Sequence, residues 1–202
     1  MLLGLAGPPG VGKSMLAAAL AAAYDASRGS GRAAVVGMDG FHLRQAQLER
    51  LGLADVKGAP ETFDAVGFVS LLRRLRDARR PVSAPAFDRR LEEPVPDAVT
   101  IAPEHRLVVV EGNYLLLDGP WAPVRALLDE VWHLRLPDEI RVPDLVRRHV
   151  AHGRTAQEAG AWVLRSDEAN ARLVAAAAPR ADAVVDLLSG RRERAGDAGL
   201  RG

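Results

Sequence analysis

The chain has 202 residues, a length that fits one domain of ordinary size and is too short for two well-developed ones. Hydrophobic residues make up 48% and charged residues 26%, which excludes the composition of a disordered chain. The net charge of +1 gives no reason to expect nucleic acid or a membrane surface as a partner. The sequence contains no cysteine, which excludes disulfides, thiol nucleophiles and cysteine-based metal sites and fits a cytoplasmic protein.

Short apolar runs alternate with longer amphipathic runs, which is the pattern of βαβ units and a parallel sheet. The apolar runs show little polar alternation, as expected of strands that are buried on both faces. The predicted strands lie near Met1–Ala6, Ala33–Gly37, Leu107–Val110, Val131–Leu136 and Ala183–Leu187. The predicted helices are Lys13–Ala26, Leu43–Leu51, Phe63–Ala78, about Trp121–Leu128, about Ile140–His152 and Thr155–Ala176. The fold class is therefore α/β, with a parallel five-stranded core sheet and helices on both faces.

Three other segments complete the pattern. The run Ser14–Tyr24 contains no charged residue but is well short of the roughly 20 residues that span a bilayer, so no membrane segment is predicted. The stretch from Pro81 to Pro103 is broken by prolines and predicts a hairpin or an excursion from the sheet. The tail from Gly190 onward has no periodicity and is predicted to be frayed.

A complete phosphate-binding motif lies between the first predicted strand and helix. Gly7-Pro-Pro-Gly-Val-Gly-Lys13-Ser14 matches the pattern G-x-x-x-x-G-K-[ST]. Backbone amides of such a loop surround a di- or triphosphate, the lysine reaches the β and γ oxygens, and the serine hydroxyl ligates Mg²⁺. We predict that the nucleotide is bound by Gly7, Pro8, Pro9, Gly10, Val11, Gly12, Lys13, Ser14 and Met15. The [NT]-K-x-D motif of guanine-specific proteins is absent, which favours ATP over GTP.

Two acidic residues follow predicted strands that neighbour the phosphate loop. Asp39 comes after the strand Ala33–Gly37, and Glu111 ends the run Leu107–Val110. Ligands of parallel α/β sheets bind beyond the carboxyl ends of the strands, so both acids are expected on the side of the loop. One carboxylate would hold Mg²⁺ and the other would accept a proton from an attacking hydroxyl.

An ordered set of motifs resembles the phosphoribulokinase/uridine kinase family of P-loop kinases, in its bacterial branch of nucleoside/nucleotide kinase-like and fructose-transport-system kinase-like proteins. The motifs that carry the resemblance are the phosphate loop, Met38-Asp-Gly-Phe-His42, Lys57-Gly-Ala-Pro-Glu-Thr-Phe-Asp64, Pro85-Ala-Phe-Asp-Arg89, Val110-Glu-Gly-Asn-Tyr-Leu-Leu116, and the arginines Arg147, Arg148 and Arg154. The match extends from Leu3 to about Leu188.

The resemblance implies a P-loop NTPase three-layer sandwich, with a single kinase domain over 1–188, a small lid at about 140–157 and a flexible tail over 189–202. It implies phosphoryl transfer from ATP, with Mg²⁺, to a hydroxyl of a small molecule; a homodimer is left open. Asp39, Lys13, Arg148 and Arg154 would be catalytic, and Ser14, Glu111 and Asp39 would bind the metal. Substrate contacts are expected from Phe41, His42, Lys57, Phe63, Asp64, Asp88, Arg89 and Tyr114.

The family has no common acceptor, so the motifs leave the substrate open. Pantothenate is disfavoured because Val82-Ser-Ala-Pro-Ala86 lacks the tyrosine and histidine that pantothenate kinases carry in this segment. Two alternatives stay open: a regulatory ATPase without a small-molecule acceptor, and a nucleoside monophosphate kinase. An ATPase would consume ATP at the same rate whatever compound is added.

Overall fold

The computed structural model describes residues 1–195. A six-stranded sheet forms its centre, in the order β2-β5-β1-β6-β7-β8. All five predicted strands are present, and they pair in parallel. The strands of this sheet are β1 (Leu2–Ala6), β2 (Ala33–Gly37), β5 (Leu107–Gly112), β6 (Glu130–Arg135), β7 (Ala183–Asp186) and β8 (Arg192–Arg194).

The helices occur close to their predicted positions. They are α1 (Lys13–Arg28), α2 (Gln45–Leu51), α3 (Ala65–Arg76), α4 (Pro123–Leu127), α5 (Asp138–Ala151), α6 (Ala156–Trp162) and α7 (Glu168–Ala177). The long helix predicted over Thr155–Ala176 is interrupted, because Val163–Asp167 form a π turn between α6 and α7. Pro143 neither starts nor ends α5, which runs through it.

Both faces of the sheet are buried, which explains why its strands lack polar alternation. Leu3 and Leu5 of β1 pack with Val11 and Ala17 on the α1 side. Leu2 and Ala6 of the same strand belong to the larger cluster on the opposite face, which includes residues of α3 and α7. Each fully buried leucine of this kind contributes about 1.5–3 kcal/mol, so the sheet is a rigid base for the loops at its carboxyl edge.

The proline-rich segment forms the predicted hairpin. Strands β3 (Val82–Asp88) and β4 (Glu93–Ile101) pair antiparallel in a sheet of their own, with an irregularity at Pro85, where proline lacks a donor for the ladder. The hairpin packs against the short 3-10 turn Met38–Phe41 that follows β2. A Cβ at Gly40 would overlap the Pro85 carbonyl, so only glycine allows this approach.

The chain beyond residue 188 differs from the predicted flexible tail. Arg192–Arg194 form β8, which pairs antiparallel with β7 and extends the sheet. The Arg192 guanidinium lies 4.9 Å from the centre of the Trp132 ring and pairs with Glu130, which holds the strand in place. The rest of the predicted tail, 196–202, lies outside the described residues. No helix among the described residues is long and apolar enough to cross a membrane.

Candidate active site

The phosphate loop joins β1 to α1 at the carboxyl edge of the sheet. Gly10 and Gly12 adopt left-handed φ values of +78° and +96°, which only glycine accepts at low cost and which curl the loop over the start of α1. The Lys13 ammonium donates to the carbonyl oxygens of Gly7 and Pro8, both at 3.0 Å. The loop thus has the closed shape that presents backbone amides to phosphate oxygens.

Lys13 is a buried cation held between acids. Burial lowers the pKa of Lys13 to about 8, and Glu111 and Asp39 oppose this shift by favouring the charged form. A buried ammonium with two carbonyl partners needs a further anion nearby. The phosphates of a nucleotide would supply that anion.

Ser14, Glu111 and Asp39 form a cluster of hard oxygen ligands beside the loop. The Ser14 hydroxyl donates to Oε1 of Glu111 at 2.9 Å. Glu111 is opposite Gly37 in the β2–β5 register, and Asp39 follows two residues later, so both acids come from adjacent strand ends. Burial raises the pKa of Glu111, and the Asp39 carboxylate raises it further. A cation bound here would relieve this cost, so the donor set fits Mg²⁺.

The described residues contain no cluster of three or more histidine or acidic side chains that could enclose a metal alone. Mg²⁺ is usually held by one or two carboxylates together with waters and phosphate oxygens of the substrate. The Ser14–Glu111 pair matches that kind of site, in which the nucleotide completes the coordination.

A cavity of about 1040 Å³ opens in front of these residues. Its donor half is formed by the phosphate loop, Glu111 and the lid residues Arg148 and Arg154. We call the opposite half, which is lined by His42, Lys57, Phe63, Phe87, Arg89 and Arg90, the acceptor end. Asp39 also lines the cavity, and its carboxylate accepts a hydrogen bond from Arg89 at 3.3 Å.

The lid residues reach the cavity from α5 and the turn that follows it. Gly153, with φ of +97°, follows the end of α5, and Thr155 caps α6 by accepting from the Glu158 amide at 3.2 Å. Arg154 lies on this turn, with its guanidinium 3.9 Å from the centre of the Trp162 ring. Arg147 instead faces solvent and pairs with Asp144. The arrangement brings Arg148 and Arg154, but not Arg147, to the cavity wall.

A buried arginine behind the loop was not among the predicted site residues. Arg141 of α5 is 1% exposed and donates to the Pro9 carbonyl at 3.0 Å. It also pairs with Asp138 and Glu168, both at 2.7 Å, and so connects the loop to α5 and α7. The available signal was its spacing: Arg141 lies one turn before the buried Leu145, on the apolar face of the helix.

The structure places four of the predicted substrate residues away from the cavity wall. Asp64 accepts from the Gly67 amide at 2.8 Å and caps α3. Asp88 accepts from the amides of Arg90 and Leu91 and so shapes the hairpin turn. Phe41 and Tyr114 are buried in the larger core cluster. These four side chains therefore have structural contacts as caps or in the core, and their contacts with a substrate stay a prediction.

Three residues of the predicted nucleotide site, Gly7, Pro8 and Val11, do not line the main cavity. Val11 is buried in the core on the α1 side, and Pro8 lines a second cavity, of about 470 Å³, behind the loop. A Cβ on Gly7 would contact Val11 and Leu134. Pro9, Gly10, Gly12, Lys13, Ser14 and Met15 line the main cavity.

The loop that carries Lys57 is fixed by contacts with distant parts of the chain. The side-chain amide of Asn170 donates to the Gly58 carbonyl at 3.2 Å, and the Tyr114 hydroxyl donates to the same oxygen. His42 stacks on Phe63 with their ring centres 3.9 Å apart. Tyr114 and Phe63 therefore have identifiable functions in positioning the loop and the aromatic wall of the acceptor end.

Comparison with known proteins gives a consistent set of relatives, although no protein-family model matches the chain. A uridine kinase-like protein of Schizosaccharomyces pombe is 37% identical over 164 residues, which cover 78% of this chain and 70% of that protein. An ATP-dependent kinase-like protein of Aspergillus versicolor is 41% identical over 145 residues, 66% of this chain and 84% of that protein. A crystal structure of a fructose transport system kinase-like protein from Silicibacter sp. TM1040 has a TM-score of 0.80 and 42% identity, covering 88% of this chain and 85% of that one.

Proposed function

Since this chain belongs to the phosphoribulokinase/uridine kinase family of P-loop kinases, we propose that it transfers the γ-phosphoryl group of Mg²⁺-bound ATP to a hydroxyl group of its small-molecule substrate. The chain is an ATP-dependent kinase of a small molecule by its family. We propose in addition that the acceptor group is a hydroxyl, that the metal is Mg²⁺, and that individual residues have the functions described below.

One observation carries the proposal. The phosphate loop with Lys13, the Ser14–Glu111 pair and Asp39 all line one cavity, and that cavity continues into the acceptor end. Phosphoryl transfer requires residues that bind the phosphates, a metal site and a group that orients or deprotonates the nucleophile. All three lie within a single volume that also has room for a second substrate.

The metal would be held by the Ser14 hydroxyl and the Glu111 carboxylate, which are already in contact. Mg²⁺ at this position neutralises negative charge on the phosphate oxygens of ATP. Lys13, which Glu111 and Asp39 keep in its charged form, would bind the same phosphates from the other side.

Asp39 would accept the proton of the attacking hydroxyl. The acceptor oxygen forms a bond to the γ-phosphorus, the bond to the β–γ bridging oxygen breaks, and the hydroxyl proton passes to the Asp39 carboxylate. The Arg89 guanidinium, 3.3 Å from that carboxylate, orients it. Arg89 is supplied by the hairpin turn, so the base is positioned only when the hairpin is docked.

The lid arginines would stabilise the charge that develops on the transferring group. Arg148 lies within electrostatic range of Arg89 and Asp39, which places its guanidinium near the point where the two halves of the cavity meet. Arg154 is held over Trp162, farther along the same wall. Arginine side chains that contact the transferring phosphoryl group stabilise such charge in other P-loop NTPases.

A screen for acceptor-dependent ADP formation tests the proposal. Nucleosides, sugars, vitamins, hydroxy acids and nucleoside monophosphates would be supplied one at a time with Mg²⁺ and ATP. We expect at least one compound to raise ADP formation and to be recovered with one additional phosphoryl group per ADP. ADP formation at the same rate with every compound and with none would contradict the proposal and favour the regulatory ATPase.

A further inference from the structure

The acceptor end of the cavity contains an unusual concentration of positive charge. Lys57 reaches it from the loop that precedes the 3-10 turn Pro60–Thr62, while Arg89 and Arg90 come from the turn between β3 and β4. The same cavity is also lined by Lys13, Arg148 and Arg154, and Arg148 lies within electrostatic range of Arg89.

The acids at this end do not balance these cations. Asp39 is the partner of Arg89, and Glu92 approaches Lys57 at 3.9 Å with a side chain that is 57% exposed. Arg90 lies within electrostatic range of the Asp88 carboxylate, although no ion pair joins it to a carboxylate among residues 1–195. An exposed pair at that distance contributes little, so Lys57 and Arg90 are available to a ligand.

Lys57 is held in a position that faces the cavity. Its ammonium donates to the Glu92 carbonyl at 3.2 Å and lies 5.8 Å from the centre of the Phe87 ring. Its side chain is only 23% exposed. The Glu92 carbonyl ties Lys57 to the hairpin turn, and the Gly58 carbonyl ties the Lys57 loop to Asn170, so the position of the charge is set by the fold.

An uncharged aromatic wall lies beside Lys57 and Arg89 at the acceptor end. The His42 ring stacks on Phe63 and lies 5.1 Å from the centre of Phe87. Burial, with Lys57 and Arg89 nearby, lowers the pKa of His42 to about 4, so the ring is neutral at neutral pH. A substrate on this wall would have a hydroxyl at one end, near Asp39, and face the cations at its other end.

We propose that the acceptor carries an anionic group, a carboxylate or a phosphate, in addition to its hydroxyl, and that Lys57 and Arg90 bind this group. The inference rests on the proposed kinase reaction at the same site. It narrows the substrate class to hydroxy acids and phosphorylated alcohols. A neutral nucleoside or sugar would leave the two cations without a partner in the closed complex, at a cost in binding.

Matched pairs of compounds that differ only in the charged group test this inference. Suitable pairs are glycerol with glycerate, pantothenol with pantothenate, and ribulose with ribulose 5-phosphate. The kcat/KM for ADP formation would be measured for both members of each pair. We expect the best substrate to be an anionic member, with a preference of about 10- to 100-fold over its neutral partner, as for a hydrogen bond to a charged group.

The same assay with Lys57→Met tests whether Lys57 causes the preference for anionic compounds. We expect the KM of the anionic compound to rise about 10-fold or more while the KM of ATP changes little, because Lys57 is remote from the phosphate loop. Arg79→Met removes an exposed cation just beyond the end of α3 and serves as the control, with no expected effect. Equal use of neutral and anionic partners, or an unchanged KM in Lys57→Met, would overturn the inference.

A binding measurement separates failure of this inference from failure of the proposed reaction. Each anionic compound and inorganic phosphate would be titrated calorimetrically into protein saturated with Mg²⁺ and a non-hydrolysable ATP analogue. Binding that Lys57→Met weakens supports the inference even if no ADP forms, in which case the proposed reaction fails alone. Binding of the analogue without binding of any of these anions overturns the inference.

Discussion

The two halves of the active-site cavity are built in different ways. The phosphate site of the donor half is one continuous stretch, Gly7–Ser14, whose glycines and helix start present backbone groups. The acceptor end is assembled from three separate segments: the turn after β2, the Lys57 loop and the hairpin turn. These segments are held together by tertiary contacts, such as those of Asn170 and Arg89.

This difference separates what the family shares from what distinguishes its members. Backbone amides recognise the phosphates of any nucleoside triphosphate, so the donor half can stay the same while the acceptor changes. Side chains on loops determine the acceptor end, and loops tolerate substitution better than the strands that carry them. Variants in the two halves should therefore have separable effects on ATP and on the acceptor.

The largest expected effect lies where the two halves meet. Asp39→Asn keeps the shape of the side chain but cannot take the hydroxyl proton, and general-base catalysis contributes about 10²–10⁴-fold. We expect kcat to fall by about that factor while calorimetry shows unchanged ATP affinity. Near-normal turnover would move the proton-accepting function to another group, with Glu111 the next candidate.

Variants of the two lysines of the chain should differ most clearly in ATP affinity, because Lys13 lies in the phosphate loop and Lys57 at the acceptor end of the cavity. Lys13→Ala removes a buried cation from the phosphate loop, and we expect ATP affinity and turnover to fall by about 10²-fold or more, since the lost contact is a charge-assisted one in a desolvated site. Lys57→Ala should leave ATP affinity within about threefold of the wild type, which is less than 1 kcal/mol. Equal losses of ATP affinity in both variants would mean that the two halves are not independent.

Alanine variants of three arginines compare how much α5 and the turn that follows it contribute to the rate of phosphoryl transfer. We expect Arg148→Ala to lower kcat by about 10-fold or more, since its guanidinium lies near Asp39, and Arg154→Ala to have a smaller effect because part of its contact is with Trp162. Arg147→Ala is the matched control, because the Arg147 side chain is exposed and does not line the cavity. Steady-state kinetics of the three variants on the identified acceptor would decide the order. If kcat fell by less than about threefold in all three variants, these arginines would be ordinary exposed residues of a surface helix, without a function in catalysis.

The smallest expected effect is a loss of folding stability as the pH is lowered below neutral. One histidine with a strongly lowered pKa lies on each side: His42 at the acceptor end, and His133 on β6 behind the phosphate loop, where burial lowers its pKa to about 4. Between about pH 4 and 6.5 the unfolded chain binds more protons than the folded one, so stability rises with pH and is lost on acidification.

Urea unfolding of the wild type and of His133→Gln from pH 7 to pH 4 measures this dependence. For His133 we expect a contribution of about 2–3 kcal/mol across the window, which the variant should lack. An unchanged pH slope in His133→Gln would show that this histidine is protonated in the folded protein.

The donor half could be predicted from the sequence because its determinants are local. A phosphate loop is a run of consecutive residues, and the apolar runs of β1, β2 and β5 indicate strands buried on both faces without knowledge of their neighbours. The positions of Asp39 and Glu111 then follow from the rule that parallel strands end at one edge of the sheet. Both acids were predicted in this way, and both line the cavity.

The acceptor end could be predicted only in part, because its determinants are tertiary. Asp64 and Asp88 belong to motifs that suggest substrate contacts, but their carboxylates cap a helix and a turn. The spacing of Arg141 on the apolar face of α5 indicates its burial, but its partners Pro9 and Glu168 lie far away in the chain and are not visible in the local pattern. Strand β8 was missed because three charged residues carry no apolar signal.

The central claim is direct transfer between two substrates that occupy one cavity at the same time. Initial velocities measured over a grid of ATP and acceptor concentrations test it most directly. We predict double-reciprocal lines that intersect, because ATP and the acceptor must both be bound before the phosphoryl group moves. Parallel lines, which indicate a phosphorylated enzyme formed in the absence of the acceptor, would contradict the account.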